Sequence, residues 1–340
     1  MTATVDTSAG PLRSTRGTRR GGRSPQGAAH LLPGGLRWIV PGLALSVGLI
    51  YYSLIYSGYL SFFDWPGGRQ KMRWVGFDNF AEALGDPVVW ISIRNTLVYF
   101  FVIYGVQVVG GVAFAAALHS KVYFKTIYKI IVIVPVLVAP ATMAPAHIQV
   151  WQTNGTFNTI LRAIGLGSWT QGWIGQSTTA LLVIILAGCW GAVGFGFILY
   201  FAAMGQIDPE VIEAARIDGA GNVRMLTDIV LPGVRPVTVS LGILNFITAL
   251  KLFDGPWLLT QGGPNHASEF LGTMIYAETA GSSRNLGYAA ALSVILLVVA
   301  VVTSVTIQLK SGERDPTGTK KAARRAARVR AAQRKAVADV

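Results

Sequence analysis

Twenty-six consecutive residues, Trp38 to Phe63, carry no charge and are mostly apolar. A bilayer is the solvent that suits so long a run. About 20 apolar residues in a helix cross its hydrocarbon core, where every backbone N–H and C=O must bond within the chain. A basic stretch precedes the run, but it is too long for the apolar part of a secretory signal and no small-residue cleavage site follows. It is read as a retained first span. The charge-free runs Asn95 to Leu118, Thr178 to Met204 and Leu286 to Leu309 are three more. Ile130 to Trp151 is a further span, interrupted by Pro135, Pro140 and Pro145. Prolines are tolerated there where neighbouring groups take up the freed carbonyls, so this span belongs inside a bundle. Pro236 to Leu258 is a sixth, weakened by Lys251 and Asp254. Each charge in a span costs about 2.5–3.5 kcal/mol on insertion scales, and their i,i+3 spacing lets the two pair on one helix face. The expected fold class is all-α, a polytopic membrane protein with six transmembrane helices. Composition agrees: 52% of residues are hydrophobic and 13% charged, against about 25% charged in soluble proteins.

Six spans return the chain to the side on which it began. Of 29 Lys and Arg, 22 lie in 1–37, 119–129, 205–235 and 310–340, and five in the alternate loops 64–90, 152–177 and 259–285. Cation-rich loops face the cytoplasm, so both termini are expected there, an assignment that rests mainly on the tails. Cys189 is the only cysteine, which excludes a disulfide framework and a multi-cysteine metal site. His30, His119, His147 and His266 lie in separate segments without ligand spacing, and no metal is expected.

The loop 205–235 holds five of the sixteen acidic residues: Asp208, Glu210, Glu213, Asp218 and Asp228. It also carries helix punctuation. Asp208 is placed as an N-cap, Pro209 at the first helical position, Glu210 in the first turn and Gly219 as a stop. A second short helix is expected from Asn222 to Leu231, closed by Pro232. The reading is a helix–turn–helix on the cytoplasmic face over 205–232. Residue by residue, the loop runs Glu213-Ala214-Ala215, three residues, Gly219, nine residues, Ile229, one residue, Leu231-Pro232.

That pattern resembles the EAA motif of the membrane subunits of binding-protein-dependent ABC importers, with every defined position at its spacing. The resemblance extends over residues 36–310. VGFDNF (75–80), RNTLVYF (94–100), ALKLFDGPWLLTQGGP (249–264) and GYAAALSVIL (287–296) are similar to segments of the carbohydrate-uptake branch. That branch carries oligosaccharides, maltose-type sugars and glycerol phosphate, and this chain looks like the first of its two paired permeases. The resemblance implies a multi-pass protein of the bacterial cell membrane, not itself an enzyme, forming half of a translocation path by alternating access. It implies as partners a second permease subunit, two ATPase subunits and an extracytoplasmic substrate-binding protein. It assigns Glu213, Ala214, Ala215, Gly219, Ile229, Leu231 and Pro232 to ATPase coupling. The residue chemistry agrees: small Ala214 and Ala215 let a helix press into a groove, Gly219 permits a sharp turn, and Glu213 offers a carboxylate to a cation. The sequence contains no Gly-Lys dipeptide and hence no phosphate loop. ATP and Mg are expected on the partner ATPase, with no cofactor on this chain.

The cargo path is sought where polar groups interrupt apolar helices. Asn245, Thr248, Lys251 and Asp254 recur at i, i+3, i+6 and i+9 and drift around one face of the expected fifth span. Sugars stack on aromatic rings, so Trp190, Phe195 and Trp257 are companion candidates. Two compatible readings stand: these residues line the path, or a Lys251–Asp254 pair pins the helix end. Gly188, Gly191 and Gly194 are expected to admit a neighbouring helix or a bend. The loop 152–177, with Trp169 and Trp173, is read either as lying in the interfacial aromatic belt or as meeting the binding protein. An autonomous secondary transporter or channel is the competing reading, but the sequence shows neither the internal repeat nor the buried ion relays of that class.

The domain reading is a disordered basic tail over 1–35, the permease domain over 36–310, and a second basic tail over 311–340. The segment 320–335 alternates basic and alanine pairs and lacks aromatics to stack bases. It is read as touching anionic lipid headgroups or as a solvated tail, not as a nucleic-acid site. Deletion of 313–340 is expected to leave transport by the assembled complex near its full rate; loss of assembly on deletion would contradict this.

Overall fold

The structure, a computed structural model, describes residues 31–120, 123–281 and 284–312. The readings placed on residues 1–30 and 313–340 lie outside the described residues. The chain divides into two units, Met1–Ile55 and Tyr56–Val340. The first holds most of α1 (Leu31–Leu60), whose described part begins inside the stretch expected as tail. Its side chains from Trp38 to Tyr56, Leu43, Leu49 and Ile55 among them, are exposed, as suits a helix that faces lipid.

In the second unit a two-residue ribbon, β1 (Phe63–Asp64) and β2 (Arg73–Trp74), pairs antiparallel with Phe63 opposite Trp74. Then come α2 (Asp78–Gly85), α3 (Pro87–His119), α4 (Lys125–Leu137), α5 (Pro140–Trp151), α6 (Thr156–Ala163) and α7 (Ala180–Met204). Short α8 (Pro209–Ile217), α9 (Asn222–Met225) and α10 (Leu231–Gly233) lead into α11 (Arg235–Leu250), α12 (Asp254–Thr260), α13 (Leu271–Ala280) and α14 (Leu286–Gly312). Among the described residues four helices, α1, α3, α7 and α14, are long and apolar enough to cross a membrane. The count reaches the expected six if each of two bent pairs is one span.

Both bent pairs correct the sequence reading. The third run is broken as well as interrupted: Lys125–Leu137 meets Pro140–Ala163 at 99°. Ala139 between them is extended (φ −62°, ψ 140°), because the ring of a following proline disfavours the helical region. The second bend, of 62°, falls just before the fifth run, between Asn222–Gly233, expected in the loop, and Arg235–Leu250. The helix of the fifth run stops at Leu250, not at Leu258. Pro256 has no N–H to give, so it fits only in the first turn of a new helix, and α12 starts at Asp254.

The central contact is between α3 and α7. Their partners advance together along both chains, Tyr99 and Ile103 against Gly188, Gln107 against Gly196, Leu118 with Met204, so the two helices run parallel. At the crossing there is no room for a side chain. A Cβ on Gly111 would stand 2.8 Å from the backbone of Gly196, and one on Gly196 would stand 2.6 Å from the Gln107 carbonyl oxygen. Gly188 also admits α3, through Tyr99 and Ile103, and Gly194 admits α4 at Val132 and Val136, as expected. Gly191 faces open space and admits no neighbouring helix among the described residues. The helix α11 runs antiparallel to α3, with Val234 beside Leu118 in one apolar cluster and Asn245 on Gln107. One end of this three-helix core therefore carries α8–α10, and the other carries the loops before α3, before α7 and after α11.

At that second end asparagines tie the loops to the helix starts. Asn79 donates to the Ser61 and Phe63 carbonyls at 2.8 and 2.9 Å, and Asn95 to those of Ala267 and Glu269, both at 2.9 Å. Asn158 donates to Gln152, Thr153 and Gln171 carbonyls and accepts from the Trp173 indole at 2.8 Å. Trp173 packs on Trp151 and Phe157, so of the two tryptophans considered for the aromatic belt only Trp169 is exposed. The buried Glu269 carboxylate accepts from Thr273 and faces His266 Nδ1 at 2.9 Å. Glu278 accepts from the Asn285 N–H at 3.3 Å. Burial raises its pKa above the usual carboxylate value, the Asn285 bond pulls it back, and Glu82 and Asp86 push it up again.

Two predictions follow from this packing. Gly196→Val is expected to cost about 1–3 kcal/mol of unfolding free energy through overpacking, whereas Gly191→Ala is expected to be neutral; denaturant titration in detergent checks both. For Glu278 the folded state favours the neutral form, so its stabilisation is complete at low pH and is lost as pH rises through the raised pKa. Glu278→Gln is expected to raise the melting temperature at pH 7, with the gain vanishing toward pH 4.

Candidate functional site

The strongest sequence pattern falls on α8–α10. Asp208 caps α8, its Oδ1 accepting from the Glu210 N–H at 3.0 Å, and Pro209 stands at the first turn. The helix closes as a Schellman motif: the Gly219 N–H reaches the Arg216 carbonyl at 3.1 Å and the Ala220 N–H reaches that of Ala215 at 2.9 Å. Gly219 sits at φ +78°, a conformation that glycine adopts freely. The segment after it differs from the expected short helix. From Leu226 to Val230 it widens into a π-helical turn, and Pro232 lies within α10 instead of ending it. The wider turn accommodates a proline that lacks a donor and crowds the carbonyl four residues back.

The two halves of the loop have different surroundings. Leu226, Val230 and Val234 pack against the cluster of Val112, Ala115, Leu118, Phe197, Tyr200 and Met204, which fixes the turn between α9 and α10 and the start of α11 to this end of the core. By contrast α8 exposes Val211, Glu213, Ala214 and Ile217, the last at 86%. Val211, Ala214 and Ile217 lie three residues apart and form an apolar strip beside Glu213. Ala215 and Ile229 are half-buried, whereas Leu231 and Pro232 are exposed. Arg224 pairs with Asp228 at 3.4 Å across one turn; no ion pair engages Glu213 among the described residues. At the base, Lys129 lies 4.1 Å over the Phe201 ring, which also meets His119.

The expected polar ladder of the fifth span is only partly present. Asn245 is inside, donating to Gln107 Oε1 and to the Leu241 carbonyl. Thr248 bonds back to the Leu244 carbonyl of its own helix. Lys251 caps the end of α11 and Asp254 begins α12, so they share no helix face, and no ion pair joins them. Trp257 stacks on Phe253 with ring centres 5.9 Å apart and meets Tyr276 at 4.5 Å. Trp190 and Phe195 are exposed on α7 and stand apart from that cluster. Sequence reasoning missed Gln107, 2% exposed, and the chain of Tyr104 and Tyr200 hydroxyls on Thr238 at 3.1 and 2.9 Å. A glutamine in an otherwise apolar run was the available signal.

Residues 107–314 match the family described as the binding-protein-dependent transport system inner membrane component. The probable ABC transporter permease protein YurN of Bacillus subtilis is 30% identical over 284 residues, covering 80% of this chain and 95% of that protein. The lactose transport system permease protein LacF of Rhizobium radiobacter is 28% identical, over 79% of this chain and 91% of its own. A chain from the crystal structure of a bacterial ABC transporter involved in import of the acidic polysaccharide alginate shares the fold. Its TM-score is 0.72 at 23% identity, with 82% of this chain and 95% of that one covered. The family match spans more than half of the chain and takes in the α8–α10 loop, the α7 seam and α14. By that match, and by its likeness along nearly the whole of a curated relative, this chain belongs to the family of binding-protein-dependent transport system inner membrane components.

Proposed function

We propose that the chain is a permease subunit of an ATP-driven importer of a carbohydrate or carbohydrate derivative, coupled to its ATPase through α8–α10. The cargo class is supported by relatives named for transport of lactose, multiple sugars and sn-glycerol-3-phosphate. The observation that carries the coupling is the division of labour within the loop. An exposed Val211–Ala214–Ile217 strip with Glu213 at its side is joined, through a closed Schellman turn, to a helical turn fixed in the core.

In this reading the end bearing α8 faces the cytoplasm with both termini, in keeping with the cation-rich loops. A second permease completes the path, two ATPase subunits bind ATP and Mg, and an extracytoplasmic binding protein delivers cargo at the opposite end. Membership of the family sets aside the autonomous transporter or channel. Closure of the ATPases displaces α8, and because Leu226, Val230 and Val234 are fixed against α3, α7 and α11, the displacement passes into those helices. From Ala115 to Gln107 is eight residues, roughly 12 Å along the helix. The Gln107–Asn245 pair thus lies within reach of the movement, on the seam between α3 and α11. It is the best-placed polar group for a path through this subunit. Trp257, Phe253 and Tyr276 supply stacking surface nearer the outer end.

Glu213→Lys is expected to lower cargo uptake in proteoliposomes at least about tenfold, the scale of one lost charge-pair contact, with the subunit still made and inserted. Uptake at the unaltered rate in Glu213→Lys and in Ala214→Asp would refute coupling through α8. Asn245→Leu leaves the Gln107 amide unpaired and is expected to cost about 1–3 kcal/mol of stability, read by denaturant titration.

A further inference from the structure

At the end opposite α8, a cleft of about 910 Å³ opens between the turn 66–70 and the residues that precede α14. Pro66, Gly67, Gly68, Arg69, Gln70, Arg284 and Asn285 line it. Backbone and side-chain bonds hold its two walls together. The Leu286 N–H donates to the Trp65 carbonyl at 2.8 Å, Arg284 Nε to that of Pro66 at 3.3 Å, and Asn285 Nδ2 to Asp64 Oδ1 at 3.3 Å. The fit is close at Gly67, φ +94°, where a Cβ would stand 2.9 Å from Leu286 Cδ1 and 3.0 Å from Arg284 Nη2. The Arg284 guanidinium therefore lies against the turn in a place set by packing.

The charges of this cleft are unbalanced. Nearby Arg73 is matched by Asp64 at 3.6 Å, whereas Arg69 and Arg284 have no ion-pair partner among the described residues and are both exposed. Of the acids at this end, Asp64 is taken by Arg73 and Asn285, and Glu82 and Asp86 act on Glu278, which accepts from the Asn285 N–H. Arg69 and Arg284 both line the cleft, so an anion held there is attracted by two guanidiniums. A carboxylate suits both, since each planar fork can give it two parallel N–H···O bonds. Pro66 is the one apolar side chain among the lining residues, beside Gly67 and Gly68, so the cleft offers little apolar wall for an acyl chain, which favours a carboxylate on a protein over a lipid headgroup.

We propose that this cleft receives an acidic side chain of the extracytoplasmic binding protein, gripped by Arg69 and Arg284. The proposal rests on the functional reading above, which turns this end outward. It gives the outer face a charged anchor for the delivering protein, with the Asp64–Arg73 ribbon and Asn285 as its rigid frame.

The test uses the whole transporter in nanodiscs and titrates its own cargo-loaded binding protein against ATPase rate. Arg69→Glu with Arg284→Glu is expected to raise the half-saturating concentration about tenfold or more, by charge reversal at a docking contact. Basal and maximal rates should stay unchanged, which also reports an intact fold. Arg69→Lys with Arg284→Lys should recover most of the affinity, and Arg69→Gln alone should give a smaller shift. A double Glu variant that titrates like the unaltered transporter overturns the cleft and leaves the importer reading standing. An unaltered transporter that no binding protein stimulates overturns the importer reading and the cleft with it. A defect present in phosphatidylglycerol nanodiscs and absent in phosphatidylcholine ones assigns the cleft to lipid and overturns the proposal.

Discussion

The backbone contact of α3 with α7 at Gly111 and Gly196 is the constraint from which the rest of the core follows. In lipid no hydrophobic force pulls helices together, and association depends on van der Waals contact, which small residues bring to backbone range. With Gly196 seated on the Gln107 carbonyl, the two helices lie parallel and leave one shared groove for α11. Parallel packing of these helices needs an odd number of crossings between them. The broken α4–α5 segment, bent at Ala139, supplies that return.

The same seam gives the mechanical role proposed for the loop a physical basis. A helix tethered only by its own turns would move without consequence. Here Val234 is fully buried between the ends of α3 and α7, and Leu226 and Val230 press on the same cluster. The exposed strip on α8 is one closed turn away. In the proposed coupling, force applied to the strip would meet the helices that hold Gln107 and Asn245, a pair of facing carboxamides in the core. Polar groups elsewhere are concentrated at the opposite end, where Asn79, Asn95 and Asn158 satisfy loop carbonyls and keep those loops in register with the helix starts.

Much of this was legible in the sequence, and what was not has physical reasons. Charge-free length identified α1, α3, α7 and α14 because a bilayer-spanning helix leaves no other reading. Caps and glycine identified α8 because Asp208, Pro209 and Gly219 act within a single turn of chain. The fifth span failed at Lys251: hydropathy continued to Leu258, but backbone donors did not, since Pro256 cannot extend a helix. The supposed Lys251–Asp254 pair failed with it. Gly188, Gly191 and Gly194 looked alike, and only three-dimensional neighbours separate the two that admit a helix from the one that faces open space. Gln107 and Asn95 stood in plain view inside an apolar run, yet their partners, Asn245 and the 267–269 backbone, are more than 130 residues distant in the chain. No local pattern reveals such pairs. The Arg69–Arg284 cleft was hidden for the same reason.

The central claim, that the exposed strip of α8 is where this subunit meets its ATPase, has a direct measurement. A photo-reactive side chain placed at Ile217, on the strip, and at Trp169, exposed at the opposite end, is irradiated in membranes holding the whole transporter. The account predicts that position 217 captures an ATPase subunit with a yield that changes when ATP is added, and that position 169 does not. Capture of the ATPase from position 169, or its absence from 217 in assembled complexes, would contradict it.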